Sequence, residues 1–93
     1  PVVIDGFIST AAAMIAVSLA PEARNYLIAA HRSQELGHQI MMDWLQLDHL
    51  LDLQMRLGEG TGAVLAISLV EAACKTLAEM ATFGEAGVSD KEE

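Results

Sequence analysis

The sequence lacks the features that mark several protein classes. Its one cysteine, Cys74, cannot form a disulfide within the chain, which excludes a disulfide scaffold and favours a reducing compartment. Only five basic residues stand against 13 acidic ones, and the net charge of −8 argues against nonspecific binding to nucleic acid or an anionic membrane. Pro21, Arg24 and Gly58 interrupt the apolar runs before they reach the ~20 residues of a membrane span. No signal peptide is recognised, so we expect a cytoplasmic protein without nucleic acid or membrane partners.

Apolar residues, by contrast, are abundant. They make up 53% of the 93 residues. A domain of this size hides only about 60–65% of the surface that its unfolded chain exposes. The chain therefore has more apolar surface than it can easily bury alone, and we expect part of a larger domain or a tight oligomer.

Two short apolar segments predict parallel strands. Residues 1–5 (PVVID) and 25–31 (NYLIAAH) lack the alternation of a half-exposed strand. The alanine-rich residues 8–20 between them favour a helix that Ser9 or Thr10 caps and that Pro21 ends. Strand, helix and strand together form a βαβ unit, whose crossover is right-handed.

Helices are expected to dominate the rest of the chain. Ser33 is expected to cap a helix over residues 34–46, residues 47–55 are interpreted as another helical stretch, and a long helix is expected from Thr61 to about Thr82. The prediction is an α/β fold with two parallel strands here and several helices. Because such a sheet needs neighbours, residues 1–83 are expected to belong to a larger domain, with residues 84–93 as a flexible acidic tail.

The loops after the two strands are expected to share one edge of the sheet. Asp5 and Gly6 end the first strand, and Ser33 follows the second. Ligands of open α/β sheets bind at the carboxyl ends of the strands, and helix N-termini offer free N–H groups that suit a phosphorylated ligand. The plain alternatives are a tight turn for Asp5-Gly6 and a helix cap for Ser33.

No metal site is expected. The histidines His31, His38 and His49 lack the i, i+4 spacing of a helical metal pair, and no cysteine accompanies them.

The segment RLGEGTGA, residues 56–63, places glycines on both sides of Glu59. Three glycines within five residues indicate close backbone approach or positive φ angles. One interpretation is a tight interhelical turn with a solvated glutamate. In the other, the glycine N–H groups meet a ligand while Glu59 accepts a proton from it as a general base.

The stretches VVIDGFISTAAA, AHRSQELGH, LLDLQMRLGEGTGA and MATFGEAGV resemble the C-terminal region of nicotinate-nucleotide–dimethylbenzimidazole phosphoribosyltransferases. The resemblance covers essentially the whole chain but well under half of the family's length. It implies a parallel, Rossmann-like sheet, a smaller helical domain and a homodimer. It also implies transfer of phosphoribose from nicotinate mononucleotide to 5,6-dimethylbenzimidazole in cobalamin lower-ligand synthesis, giving α-ribazole phosphate and nicotinate, without a cofactor.

The resemblance also implies the site residues. The family's catalytic base, the glutamate of its GEG motif, falls on Glu59. Its substrate or product contacts fall on Asp5, Gly6, Ser33, Leu57, Gly58, Gly60 and Thr61. A single base fits the chemistry, because nicotinate leaves neutral at nitrogen whereas the benzimidazole loses its N–H proton. We expect this chain alone to be inactive, since the family's remaining sequence contributes most of the benzimidazole pocket.

Two noncatalytic functions stay open at this point. The apolar helices also fit an interaction or dimerisation module that is indifferent to nucleotides, with Glu59 exposed and replaceable. The loops also fit a nucleotide-binding module without chemistry, which would release or absorb heat on titration with nicotinate mononucleotide.

Overall fold

The computed structural model describes residues 1–56, 59–80 and 82–87. Its strands are β1 (Val2–Ile4), β2 (Leu27–His31) and β3 (His49–Leu51). Its helices are α1 (Phe7–Leu19), α2 (His38–Leu45), α3 (Thr61–Glu79) and α4 (Phe83–Ala86), with a 3₁₀ helix over Pro21–Tyr26.

The strands form one parallel sheet in the order β1-β2-β3. Val3 pairs with Ile28, and Ala29 pairs with His49. Helix α1 connects β1 to β2, as the βαβ prediction requires. The 3₁₀ helix over Pro21–Tyr26 contains the first two residues of the predicted second strand. The strand β2 therefore begins at Leu27 rather than at residue 25. The α/β class, the parallel sheet and the long helix are confirmed.

The prediction of a helix over residues 47–55 was wrong, because this segment contains a third strand. Helix α2 ends at Leu45, and its C-cap is Gln46, which has a φ angle of 59°. The following chain pairs with the end of β2, where the N–H of Arg32 donates to the carbonyl of Leu51 at 2.8 Å. These bonds join segments about 20 residues apart, so local sequence pattern carries little information about them. The described residues therefore form three strands, where two were predicted.

Helix α1 starts earlier than predicted. Its first residue is Phe7, and its N-cap is Gly6, which makes no side-chain capping bond. Ser9 instead accepts a hydrogen bond from the N–H of Asp5 at 2.9 Å, and Thr10 is fully buried. The two hydroxyl residues thus lie inside the first turns, where they fix the loop after β1.

Helix α2 starts later than predicted. It begins at His38, and its N-cap is Gly37, whose φ angle of 91° suits glycine. The hydroxyl of Ser33 accepts a hydrogen bond from the N–H of Glu35 at 3.1 Å. Ser33 therefore closes the turn that precedes the helix rather than capping the helix itself.

The core lies between the sheet and helices α1 and α2. Its buried apolar side chains are Ile4, Ala13, Val17, Ala29, Met42 and Leu45. Helix α3 packs against β1 and β2, and its buried residues are the small Gly62 and Ala66. Small residues allow the backbone of α3 to approach the sheet closely.

Most of α3 is nevertheless exposed, although it is strongly apolar. Its exposed large apolar residues are Val64, Leu65, Ile67, Leu69 and Leu77. By length and composition alone this helix is apolar enough to cross a membrane, and only 11% of its most apolar window is buried within the chain. The described residues leave this apolar surface of α3 uncovered.

The short helix α4 overlaps the start of the predicted tail, residues 84–93. Thr82 and Glu85 form a capping box at the start of α4, with each side chain bonded to the other's backbone N–H. Residues 88–93 lie outside the described residues, so the flexible tail stays a prediction.

Candidate functional site

A cleft of about 580 Å³ opens at the carboxyl ends of β1 and β2. Three of the predicted site residues, Asp5, Gly6 and Ser33, line it. They come from the loops after two neighbouring parallel strands, which is where open α/β sheets bind ligands. The predicted meeting of these two loops at one edge of the sheet is therefore present in the structure.

The N-terminus of α1 forms one wall of this cleft. The first hydrogen bond of the helix runs from the N–H of Thr10 to the carbonyl of Gly6 at 2.9 Å. The N–H groups of the preceding residues 7–9 consequently have no acceptor within the helix. Phe7, Ile8 and Ser9 all line the cleft. This wall carries the partial positive charge of a helix start, which favours an anion such as a phosphate.

The carboxylate of Asp5 binds the start of α3. One oxygen, Oδ2, accepts a hydrogen bond from the N–H of Gly60 at 3.1 Å, and Oδ1 accepts one from the N–H of Ala63 at 3.0 Å. Asp5 thereby satisfies two of the free N–H groups of α3, although it lies far away in the chain. Gly60 has a φ angle of 86°, which only glycine adopts at low cost.

These two hydrogen bonds place the end of the RLGEGTGA segment, Gly60 to Ala63, at the carboxyl edge of the sheet. Glu59 directly precedes Gly60 and is exposed, and Thr61 is the first residue of α3 and half-buried. Leu57 and Gly58 lie outside the described residues. The structure thus brings Asp5 and Gly60 together. Glu59 is the residue before Gly60, but it is not among the residues that line the cleft.

His38 holds the loop after β2, a role that the sequence analysis missed. The ring is 1% exposed. Its Nδ1 accepts a hydrogen bond from the N–H of Ser33 at 3.1 Å, so the hydrogen-bond network assigns the ring proton to Nε2. That nitrogen lies 3.1 Å from Oγ1 of Thr10, to which it donates. His38 therefore ties the Ser33 loop to helix α1.

The surroundings of His38 favour its neutral form. Burial is the main cause that lowers the pKa of His38, and the nearby His31 and His49 lower it further, whereas Asp5 acts in the opposite direction. A neutral ring is required for Nδ1 to accept the hydrogen bond from Ser33.

His31 is the second buried histidine that sequence reasoning missed. It ends β2, and its Nε2 lies 3.4 Å from Oδ1 of Asp5. The ring packs against Gly62, where an added Cβ would overlap it. In the sequence, the position of His31 at the end of a buried strand was the signal for such a role. The spacing of the three histidines bears only on metal binding. Among the described residues, no group of three or more histidine, cysteine, aspartate or glutamate side chains is arranged to hold a metal ion.

Comparisons with known proteins agree on one family. The phosphoribosyltransferase family model matches residues 1–88. Nicotinate-nucleotide–dimethylbenzimidazole phosphoribosyltransferase from Chloroflexus aggregans is 71% identical over 93 residues, which are 100% of this chain and 26% of that protein. The protein of the same name from Roseiflexus sp. (strain RS-1) is 69% identical over the same shares of the two chains.

A solved structure shows the same fold. The crystal structure of nicotinate-nucleotide–dimethylbenzimidazole phosphoribosyltransferase from Thermus thermophilus superposes with a TM-score of 0.92 at 53% identity, over 98% of this chain and 27% of that one. The chain spans about a quarter of the length of these relatives. That it corresponds to their C-terminal end stays a prediction. The family model covers nearly every residue, and we conclude that the chain belongs to the phosphoribosyltransferase family.

Proposed function

We propose that this chain is part of an enzyme that transfers phosphoribose from nicotinate mononucleotide to 5,6-dimethylbenzimidazole. The products are α-ribazole phosphate and nicotinate, and the reaction serves the synthesis of the cobalamin lower ligand. The names of the relatives support these substrates. We use the term full-length enzyme for a protein of the relatives' length that contains this sequence.

The observation that carries this proposal is the pair of hydrogen bonds from Gly60 and Ala63 to Asp5. They anchor the loop of Glu59 at the same sheet edge as the α1 N-terminus and the Ser33 loop. The exposed Glu59 thereby lies in the loop that reaches the same edge of the sheet as the α1 N-terminus, where an anion is favoured. This is the arrangement that a phosphoribosyl group and a proton acceptor require.

In the proposed mechanism the phosphate lies at the N-terminus of α1, near Gly6 and Ser33. Residues Leu57, Gly58, Gly60 and Thr61 contact the nucleotide around the base, and Asp5 positions Gly60 through its hydrogen bond. A ring nitrogen of the benzimidazole attacks the anomeric carbon of the ribose, and the bond from that carbon to the nicotinate nitrogen breaks. Its electron pair stays with nicotinate, whose ring nitrogen becomes neutral and needs no proton.

Glu59 accepts the proton that the benzimidazole loses from its other nitrogen. A general base contributes about 10²–10⁴-fold to the rate, so positioning and electrostatics must supply the remainder. No metal or cofactor is required for these steps.

The replacement of Glu59 by glutamine tests the assignment. In the full-length enzyme, we expect Glu59→Gln to lower kcat by about 10²–10⁴-fold, while calorimetry still detects binding of nicotinate mononucleotide. The matched control is Glu79→Gln, which removes an exposed carboxylate at the far end of α3. Near-normal turnover of Glu59→Gln would remove the proposed role.

We further propose that the full-length enzyme is a cytoplasmic homodimer that binds neither membranes nor nucleic acid. The net charge of −8 supports the absence of contacts with anionic surfaces. Helix α3 carries Glu71 and Lys75 along its exposed length, which favours a protein interface over a lipid one.

The runner-up is a noncatalytic interaction module, which the exposed apolar surface of α3 favours. It predicts a defined oligomer that gives no heat on titration with nicotinate mononucleotide. The leading proposal predicts heat of binding in the full-length enzyme.

A further inference from the structure

His31 is buried without the hydrogen bonds that a buried histidine normally makes. Its ring is 2% exposed, and neither Nδ1 nor Nε2 has a hydrogen-bond partner within the part of the chain that the structure describes. Buried polar atoms are nearly always paired, because an unpaired one loses its hydration without compensation. A smaller apolar residue would avoid that cost, so the position calls for a functional explanation.

The ring sets the distance between β2 and the start of α3. A Cβ atom added to Gly62 would lie closer than 3.0 Å to Cδ2, Nε2 and Cγ of the His31 ring, which real Cβ atoms essentially never do. The helix therefore rests directly on the imidazole face at residue 62. The height of the first turn of α3 above the sheet is fixed by this contact.

The same ring faces the carboxylate that anchors this helix. Oδ1 of Asp5 accepts the hydrogen bond from Ala63 and lies 3.4 Å from Nε2 of His31. The Asp5 side chain is itself largely buried, with 13% of its surface exposed. The two atoms are within ion-pair distance but form no hydrogen bond, so an N–H on Nε2 attracts the carboxylate only electrostatically. The buried ring also limits the freedom of the carboxylate to rotate away from α3.

We propose that His31 is a positioning residue for Glu59. It supports the first turn of α3 through Gly62 and holds the Asp5 carboxylate that binds Gly60 and Ala63. Glu59 precedes Gly60 directly, so a shift of this turn moves the base. The catalytic part of this inference rests on the proposed function, whereas the structural part does not.

The expected kinetic signature is a loss of kcat with little change in KM. In the proposed function the phosphate lies at the α1 N-terminus and the Ser33 loop. His31 also lines this cleft, but its ring nitrogens make no hydrogen bond to either element within the described residues. A displacement of about 1 Å at a reacting group costs about 10²-fold in rate. We therefore expect His31→Leu in the full-length enzyme to lower kcat by about 10- to 100-fold. His31→Gln, which keeps a side-chain N–H, should recover part of this loss.

A double-mutant cycle separates positioning from general damage. If His31 acts through Glu59, His31→Leu lowers kcat in the wild-type background and has almost no further effect in the Glu59→Gln background. Equal fold losses in both backgrounds, or no loss in either, would overturn the positioning role.

Hydrogen exchange provides a readout that does not depend on activity. In His31→Leu, we expect faster exchange in the peptide that contains Gly60 and Ala63 and unchanged exchange in peptides from α2. The control is His38→Leu, which removes the partner of the Ser33 N–H and should act on that loop instead. Unchanged exchange at residues 60–63 in His31→Leu would refute the inference. Normal turnover of Glu59→Gln together with faster exchange there would instead refute the proposed function.

Discussion

Oδ2 of Asp5, at the end of the first strand, accepts a hydrogen bond from the N–H of Gly60 at 3.1 Å. The two residues are 55 positions apart in the chain. Because Oδ1 of the same carboxylate also binds the N–H of Ala63, the start of α3 is attached to the carboxyl end of β1 by two bonds. This attachment brings the start of α3 to the edge of the sheet where the loops after β1 and β2 meet.

The first prediction is that Asp5→Asn destabilises the full-length enzyme. The amide keeps one acceptor oxygen but loses the second and the negative charge at the helix start. Helix N-caps contribute about 0.5–2 kcal/mol, and a charge at a helix terminus contributes about 0.3–1 kcal/mol. We therefore expect the free energy of unfolding to fall by about 1–2 kcal/mol in urea denaturation.

Asp43→Asn is the matched control for this measurement. Asp43 is exposed, and within the described residues its carboxylate bonds to Gln39 on the same helix, so its replacement should change the unfolding free energy by less than about 0.5 kcal/mol. If Asp5→Asn were as stable as this control, the two backbone hydrogen bonds would have no energetic role.

The second prediction concerns Gly62. In Gly62→Ala, the new methyl group meets the ring of His31, which is 2% exposed and belongs to a residue of β2 that is paired with β3. Overpacking of this kind costs about 1–3 kcal/mol, which outweighs the gain of up to about 1 kcal/mol from alanine in a helix. The comparison is Gly84→Ala in α4, where the nearest atom is Thr82 Oγ1 at 3.8 Å and no destabilisation is expected.

A second substitution tests the cause of that effect. In the double variant His31→Ala with Gly62→Ala, the methyl group occupies space that the ring has left. The loss of stability should therefore be smaller than the sum of the two single losses. Simple additivity of the unfolding free energies would show that the methyl group and the ring do not compete for space.

The sequence predicted the parts of the fold that local pattern encodes. The apolar runs of β1 and β2 and the alanine-rich α1 identified the βαβ unit, and the long apolar run identified α3. The third strand was missed because its short run, His49–Leu51, becomes a strand only by pairing with β2. The start of α2 was misplaced because Ser33 bonds within the preceding turn.

The site was predictable to a similar degree. Asp5, Gly6 and Ser33 follow strands, so topology alone brings them to one edge. The motif resemblance assigns the base to Glu59, and this assignment stays a prediction. The contact between His31 and Gly62 joins residues from β2 and α3, and nothing in the spacing of either segment indicates it.

The third prediction is a dependence of stability on pH that His38 causes. Its pKa is lowered in the folded protein, chiefly by burial, so below pH 6.5 the unfolded chain binds a proton there before the folded protein does. Stability contributed by this group is therefore present above pH 6.5 and is lost as the pH falls through that value towards the folded pKa.

The measurement is urea denaturation of the full-length enzyme between about pH 8 and about pH 5, a range that spans the ordinary titration of histidine, for the wild type and for His38→Gln. The wild type should lose more stability over this range than the variant, because other titrating groups are common to both. A parallel loss in the two proteins would show that His38 is not responsible.

The fourth prediction concerns the 93-residue chain produced alone, which we expect to self-associate and to show no turnover of nicotinate mononucleotide with dimethylbenzimidazole. Helix α3 presents large apolar side chains to solvent over most of its length, including Leu77 at 89% exposure. Contiguous apolar surface of this extent drives association. Light scattering coupled to size exclusion should give a mass well above 9.9 kDa.

The triple variant Leu65→Gln, Leu69→Gln and Leu77→Gln should shift this mass towards the monomer, because it removes apolar surface from α3 alone. A monodisperse 9.9 kDa monomer of the unmodified chain would contradict the expected association, and turnover by that chain would show that the site is complete within these residues.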